Sequence, residues 1–466
     1  MRFPKLMCAI VLALTGAAVS SAAPPPVKIE AALGNPVMLS GAGGTNYLRV
    51  AVTGDRINDA SRRVPLNVAI VIDRSGSMQG EKIEAAKRAA KSAIERLRPN
   101  DTVSVIAYET SVTIVQPAIR IDDNSDKAAT TRQQILSAID TITAGGSTAL
   151  FAGVSMGAGE VRKEIRSGRI NRIVLLSDGL ANVGPSSPGE LAELGTSLGR
   201  EGICVTTLGL GLDYNEDLLS RLASTSDGNH MFIDSVEALD RAYAMEFGDA
   251  MTVVARGLKV RVECVNGVRP VRVLGRDAII DDKTVLVTLG DVSSERTKYA
   301  LVELDVPAGL PDGGGVANVS VWYPFDTESK ASGYVMVLPG MSPTPLCSYS
   351  LGVRMSQSKD EVDRNTNKAV MVAAVQQIAA EKNELAMRLR DSGKIEEARQ
   401  TFLSNQSFLF DNSTRYNDEQ LRKDADTNGF AADNLDPEKW KYNRKLQQEY
   451  QVGTKKQGVI LEKSVR

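Results

Sequence analysis

Histidine is nearly absent from this sequence: His230 is the single one in 466 residues. A chain this poor in histidine cannot build a multi-histidine zinc or iron site, and it has little to offer general acid–base chemistry near neutral pH. The two G-x-S-x-G strings, Gly153 to Gly157 and Gly195 to Gly199, fall inside helical patterns and not at a strand-to-helix turn, so neither is a nucleophile elbow; His230 reads as an ordinary surface or strand-edge histidine and an enzyme lacks a residue set. Cysteine is almost as scarce. Setting aside Cys8 in the N-terminal apolar run leaves Cys204, Cys264 and Cys347, an odd and sparse set that excludes a disulfide framework. Cys204 and Cys264 lie in apolar strand-like runs, as small buried hydrophobes do. Cys347, in a Pro-rich stretch, is the one candidate for a reactive thiol. Aromatic residues make up 5% of the chain, and the isolated Trp322 and Trp440 are assigned to packing. A net charge of −2 argues against nucleic acid or an anionic membrane surface as the main partner.

Apart from the N-terminus, no apolar run approaches the ~20 residues of a spanning helix. At the N-terminus, Arg2 and Lys5 precede the apolar stretch Leu6 to Val19, and Ser20-Ser21-Ala22 supplies small residues before Pro24. This is the layout of a secretory signal peptide over residues 1–22, so the expected destination is periplasmic, secreted or cell-surface.

The remaining texture divides the chain. Residues 23–64 are a Pro/Gly-rich lead-in ending in the weakly alternating strand YLRVAVT (Tyr47 to Thr53). From Leu66, LNVAIVID is continuously apolar, as a strand covered on both faces should be. Glu81 to Arg98 follows with one apolar stripe (Ile83, Ala86, Ala90, Ala93, Ile94, Leu97), and strands and amphipathic helices alternate to about residue 250. Residues 65–250 therefore read as a doubly wound α/β domain with a mostly parallel sheet. From 251 to 340 the period changes to two, as in LKVRVECV and YALVELDV, the pattern of antiparallel strands. The early YLRVAVT strand has no place in the α/β order. It is expected to pair into this later sheet, making the α/β domain an insertion in a β-sandwich. Residues 356–450 read as a helical region, with a hairpin broken at Asp391-Ser392-Gly393, and 451–466 as a flexible tail. Asp424 to Gly429 has the opening of a calcium loop, but its twelfth position is Leu435, so it reads as an Asp/Asn-rich turn between helices.

Chemistry gathers at three places in the α/β region. The first strand ends in Asp73-Arg74-Ser75-Gly76-Ser77. A Gly145-Gly146-Ser147-Thr148 loop opens a helix, and Leu176-Ser177-Asp178-Gly179 ends another strand. In an open α/β sheet, ligands bind outside the carboxyl ends of the strands, so these loops can converge. Hydroxyls and carboxylates are hard oxygen donors, suited to Mg²⁺, Mn²⁺ or Ca²⁺. An ion held mainly by neutral hydroxyls stays electrophilic and seeks an anionic oxygen from outside.

With Asp73, Ser75, Ser77, Thr148 and Asp178 in that order, the sequence resembles the von Willebrand factor type A domains that carry a metal-ion-dependent adhesion site. The likeness covers about 185 residues, and the whole chain resembles bacterial exported proteins of this class. The resemblance implies that Ser75, Ser77 and Thr148 ligate Mg²⁺ (or Mn²⁺ or Ca²⁺) directly while Asp73 and Asp178 act largely through water. A Glu or Asp carboxylate of a protein partner would complete the shell. It implies an exported, non-enzymatic binding or adhesion module. The alternative is an assembly or chaperone-like component of an envelope complex, in which the metal site gates an interaction.

Overall fold

A computed structural model describes residues 26–57, 64–165, 169–322 and 345–458. In chain order the elements begin with β1 (Val27–Leu33), β2 (Val37–Leu39), β3 (Gly44–Gly54) and β4 (Leu66–Asp73). A 3-10 turn (Gly76–Met78) leads to α1 (Glu81–Arg96), β5 (Thr102–Tyr108), β6 (Val112–Arg120), α2 (Ser125–Asp140) and α3 (Leu150–Lys163). Then come β7 (Ile170–Ser177), α4 (Pro188–Arg200), β8 (Ile203–Leu210), α5 (Glu216–Thr225), β9 (His230–Ile233) and α6 (Ala238–Met251). Seven further strands are β10 (Val253–Cys264), β11 (Arg269–Leu274), β12 (Ala278–Asp281), β13 (Thr284–Ser293), β14 (Thr297–Val306), β15 (Gly314–Trp322) and β16 (Cys347–Ser356). The chain ends in α7 (Lys359–Arg364), α8 (Lys368–Asp391), α9 (Ile395–Tyr416), α10 (Glu419–Asp433) and α11 (Pro437–Lys456).

The α/β unit is a six-stranded sheet in the order β6-β5-β4-β7-β8-β9, parallel except at the β6 edge. Every residue of β4, β5, β7 and β8 is buried, which is why these strands read as unbroken apolar runs. Along β4, Leu66, Val68, Ile70 and Ile72 face α1, α2 and α6, while Ala69 and Val71 face α3, α4 and α5. β6 was not anticipated; its Val-Thr-Ile-Val-Gln-Pro pattern is only half-buried and carries a proline, as an edge strand tolerates.

β3 pairs antiparallel with β14 from Gly44↔Val306 to Thr53↔Thr297, so the α/β unit is inserted between strands of one β-sandwich. Its two sheets run β1-β3-β14-β11 and β12-β13-β10-β15-β16-β2. Val50, Val52, Val302 and Leu304 from one sheet meet Val260, Val262, Val287 and Val319 from the other. The supposed lead-in thus supplies β1 and β2, where Val27, Ile29, Ala31 and Leu33 alternate weakly beneath the proline and glycine signal. The sandwich also continues past residue 340 into β16.

The helical region is larger than a hairpin. α8 lies on the outer face of the four-stranded sheet, its Val370, Ala373 and Ala374 against Ala51, Leu301 and Tyr299. α11 returns to the α/β unit, where Tyr442 and Leu446 pack on its second core and Tyr442 sits edge-on to Phe232. Residues 451–456, expected as tail, continue α11; residues 459–466 lie outside the described residues, as does the signal-peptide reading. The expected turn at Asp424–Gly429 is the middle of α10. Asp424 and Asn428 are buried in a polar seam: Asn405 Nδ2 donates to Asn428 Oδ1 (3.1 Å), Asn383 Oδ1 (2.7 Å) and the Ala379 carbonyl (2.9 Å). Asn residues spaced to satisfy one another inside a bundle look, in sequence alone, like a loop. Among the described residues, no helix is long and apolar enough to cross a membrane.

Candidate metal centre

The three loops meet at the carboxyl rim between β4 and β7. Asp73 is the last residue of β4 and fully buried. One of its oxygens, Oδ1, accepts from the Ser75 amide at 2.9 Å, which turns the chain sharply out of the strand. The other, Oδ2, accepts from the Ser177 hydroxyl at 2.8 Å and the Tyr108 hydroxyl at 3.2 Å. Burial raises the Asp73 carboxyl pKa, and the hydrogen bonds from Ser75 and Ser177 offset part of that rise. Met78, completely buried, pins the short turn, and Gly80 at φ 77° lets α1 start immediately after it.

Backbone bonds lock the loops to one another. The Gly145 amide donates to the Arg74 carbonyl (2.7 Å), and the Gly76 amide to the Gly146 carbonyl (3.0 Å). Thr148, the start of the α3 loop, donates its amide to Asn182 Oδ1 at 2.8 Å, and its carbonyl accepts from the Asn182 amide at 3.1 Å.

The side chains converge accordingly. Ser75 Oγ lies 3.1 Å from Ser77 Oγ, and the Ser77 hydroxyl donates to Asp178 Oδ1 at 2.6 Å. A Cβ built on Gly179 would come 3.2 Å from Ser77 Oγ and 3.6 Å from Thr148 Oγ1, so the glycine leaves open the space beside both hydroxyls. Asp178, Ser75 and Thr148 are buried, while Ser77 is exposed at the rim. Lys82, in the first turn of α1, donates to Asp178 Oδ2 at 2.5 Å. All five sequence-chosen residues therefore share one site.

Three hydroxyls and two buried carboxylates suit a hard divalent ion, which when bound supplies an electrophilic centre for an anionic oxygen. Among the described residues, no cluster of three His, Cys, Asp or Glu side chains is gathered for a metal; the donors here are mostly hydroxyls. On the β5–β6 side, the Arg74 guanidinium meets Glu109 Oε1 at 3.3 Å. Hydrogen bonds from Ser111 and Thr110 hold the Glu109 carboxyl down at about 2.

Sequence reasoning missed Tyr108, Asn182 and Lys82, because a tyrosine ending a strand and a lysine on a helix carry no pattern. Ser177 lay in plain view beside Asp178. His230 opens β9, the strand-edge alternative, but does not lie on the surface. It is buried, covered by Tyr214 and by α11 packed on β9, with Nδ1 2.9 Å from Thr207 Oγ1. Cys204 and Cys264 are buried strand residues as expected, and burial pushes their thiols up to about 12 and about 11. Cys347 opens β16, half-buried, with its thiol also raised by burial.

Comparison with known proteins agrees with the fold. The von Willebrand factor type A domain family matches residues 67–242. An uncharacterized protein of Synechocystis is 29% identical over 309 residues, 64% of this chain and 69% of that protein. Escherichia coli YfbK, also uncharacterized, is 30% identical over 42% of this chain, and human inter-alpha-trypsin inhibitor heavy chain H4 is 27% identical over 35%. The chain spans 33% and 18% of those two proteins. A von Willebrand factor type A structure from Catenulispora acidiphila superposes with TM-score 0.64 at 18% identity, covering 86% of this chain and 89% of that one. The ArnB paralog VWA2 of Sulfolobus acidocaldarius gives 0.57 at 18% identity, covering 92% and 98%. At such identities these structures speak for the fold alone.

Proposed function

Because the chain contains a von Willebrand factor type A domain, and such domains are generally non-enzymatic modules of protein interaction, we propose that it is an exported binding protein that captures an acidic side chain of a partner through a divalent ion. Ser75, Ser77 and Thr148 hold Mg²⁺, or Mn²⁺ or Ca²⁺ in its place; Asp73 and Asp178 act through water and balance its charge. A Glu or Asp of the partner fills the remaining position.

The observation that carries this reading is the chain of contacts from Ser75 Oγ to Ser77 Oγ (3.1 Å) and from the Ser77 hydroxyl to Asp178 Oδ1 (2.6 Å), with Ser77 exposed. A carboxylate pair kept from solvent beside an exposed hydroxyl is arranged to receive a cation and present it. Export belongs to the proposal through the sequence of residues 1–22. The test is a pull-down from native extract with the full mature chain, in Mg²⁺ and in chelator. Loss of the captured partner on chelation is expected. An unchanged set of partners would instead favour the assembly-component reading, in which the sandwich and helices make the lasting contacts.

A further inference from the structure

The rim around the metal centre is unlike on its two sides. Over β5 and β6 it is polar, with Arg74, Glu109, Thr110 and Ser111 bonded among themselves. Over β7 and β8 it carries Leu180 at 59% and Leu212 at 41% exposure. These strands pair in parallel with Ser177 opposite Gly209, so Leu180 and Leu212 each lie three residues beyond one matched position and leave the same edge of the sheet.

Neither leucine is exposed by slackness of its loop. Around Leu180, the amides of Asn182 and Val183 both donate to the Thr148 carbonyl, at 3.1 and 3.3 Å. Around Leu212, the Gly211 amide donates to the Ile233 carbonyl at 2.8 Å, and Lys445 donates to the Tyr214 carbonyl at 2.9 Å. Two large aliphatic side chains are thus held in water by fixed backbone, beside a site that attracts carboxylates. The other exposed large apolar residues described in the α/β unit, Met156 and Ile165, belong to the body and far end of α3. A metal–carboxylate contact alone would accept any acid, so selectivity must come from the surface around it.

We propose that Leu180 and Leu212 form the apolar half of the partner's footprint: the recognised element is an acidic residue with a large aliphatic or aromatic side chain beside it on a protein loop. This rests on the metal-site reading above. The carboxylate seats on the ion, and the apolar neighbour lies on the β7–β8 side and buries both leucines, which on other chains' surfaces would be aggregation liabilities. The polar β5–β6 side fixes the direction in which the loop crosses.

A random heptapeptide phage library, panned on the full mature chain in Mg²⁺ and in EDTA, tests this directly. The expected result is Mg²⁺-dependent enrichment of Asp or Glu with an adjacent Leu, Ile, Met, Phe or Trp. The L180S/L212S double variant should keep the acidic preference and lose the apolar one. It should bind a synthetic consensus peptide about tenfold or more weakly. Its Mg²⁺-induced rise in melting temperature should match that of the wild type, since neither leucine is a donor. Acidic enrichment with no apolar preference, or an apolar preference that survives in the double variant, overturns the proposal and leaves the metal site standing. Absence of any Mg²⁺-dependent acidic enrichment overturns the metal-site reading instead, and this inference with it. Sedimentation of the chain alone should be the same in Mg²⁺ and EDTA. Mg²⁺-dependent self-association abolished by L180S/L212S would make the occupant a second copy and also overturn the proposal.

Discussion

The ammonium of Lys82 lies 2.5 Å from Asp178 Oδ2 while the Ser77 hydroxyl donates to Oδ1 of the same carboxylate, which has no exposure of its own. A buried carboxylate without a counter-charge is costly, and here a lysine rooted in the adjacent helix supplies one. Lys82→Met should therefore lower the melting temperature of the metal-free protein. The loss should be about 1–2 kcal/mol, because a third of the lysine side chain remains in water. With that positive charge gone, a divalent ion meets less repulsion, so the melting-temperature rise on adding Mn²⁺ should exceed the wild-type rise. Scanning calorimetry in EDTA and in Mn²⁺ measures both, and equal shifts in the two proteins would refute the role given to Lys82.

Gly153 lies one turn into α3, and a Cβ there would stand 2.8 Å from the ring of Tyr108, whose hydroxyl supports Asp73. Gly153→Ala must push either the ring or the helix, and the helix carries Thr148 just ahead of its first turn. We expect a loss of about 1–3 kcal/mol from overpacking. Weaker Mn²⁺ binding should accompany it although no donor has changed. Calorimetric titration showing wild-type affinity would separate the packing of α3 from the geometry of the site.

Away from the rim, Glu246 on α6 has no exposure and accepts from Arg172 at 2.5 Å, Thr206 at 2.7 Å and Asn229 at 2.9 Å. Glu246→Ala leaves the buried Arg172 guanidinium with only the Asp291 carboxylate at 3.9 Å and should cost about 3 kcal/mol by denaturant unfolding. Replacing both residues, Arg172→Met with Glu246→Leu, should recover much of that loss. A double variant as unstable as the single one would show that Thr206 and Asn229, not the charge pair, depend on Glu246.

Acid should loosen α11 from the α/β unit. Burial acts to raise the Glu216 carboxyl, but Lys445 at 2.5 Å and Arg444 outweigh it and hold the group below the usual glutamate range. A carboxyl whose folded value is depressed contributes fully above its unfolded pKa of about 4.3 and loses that contribution as pH falls through the folded value. Asp227, held low by Lys298, Lys456 and Arg276 against its burial, has the same sign. Amide hydrogen exchange along α11 reports the change, and its protection should fall below about pH 4. The Glu216→Gln protein should be weaker at neutral pH yet lose less on acidification; identical acid profiles would count against the latch.

The sequence showed most where one force dominates. Doubly covered strands such as β4 are apolar throughout, and all five site residues sit at strand ends or a helix start where topology alone brings them together. Less was legible where two signals conflict. The prolines and glycines of residues 24–44 masked β1 and β2, and Asp424 and Asn428 looked like turn residues although they satisfy polar partners inside α10. The supports of the site were hidden for another reason. Tyr108, Asn182 and Lys82 act through contacts 35, 34 and 96 residues away in the chain, which no local pattern encodes.

Calorimetric titration of Mg²⁺ and Mn²⁺ into the full chain decides whether Ser75, Ser77, Thr148, Asp73 and Asp178 hold a divalent ion. Ser77→Ala is the sharpest variant, since its hydroxyl is exposed and its removal leaves the buried bonds of Asp73 in place; Asp73→Ala is the second. One ion should bind per wild-type chain and raise its melting temperature, and each variant should lose most of both effects. Equal binding and equal stabilisation in wild type and variants would rule these residues out as the metal's ligands.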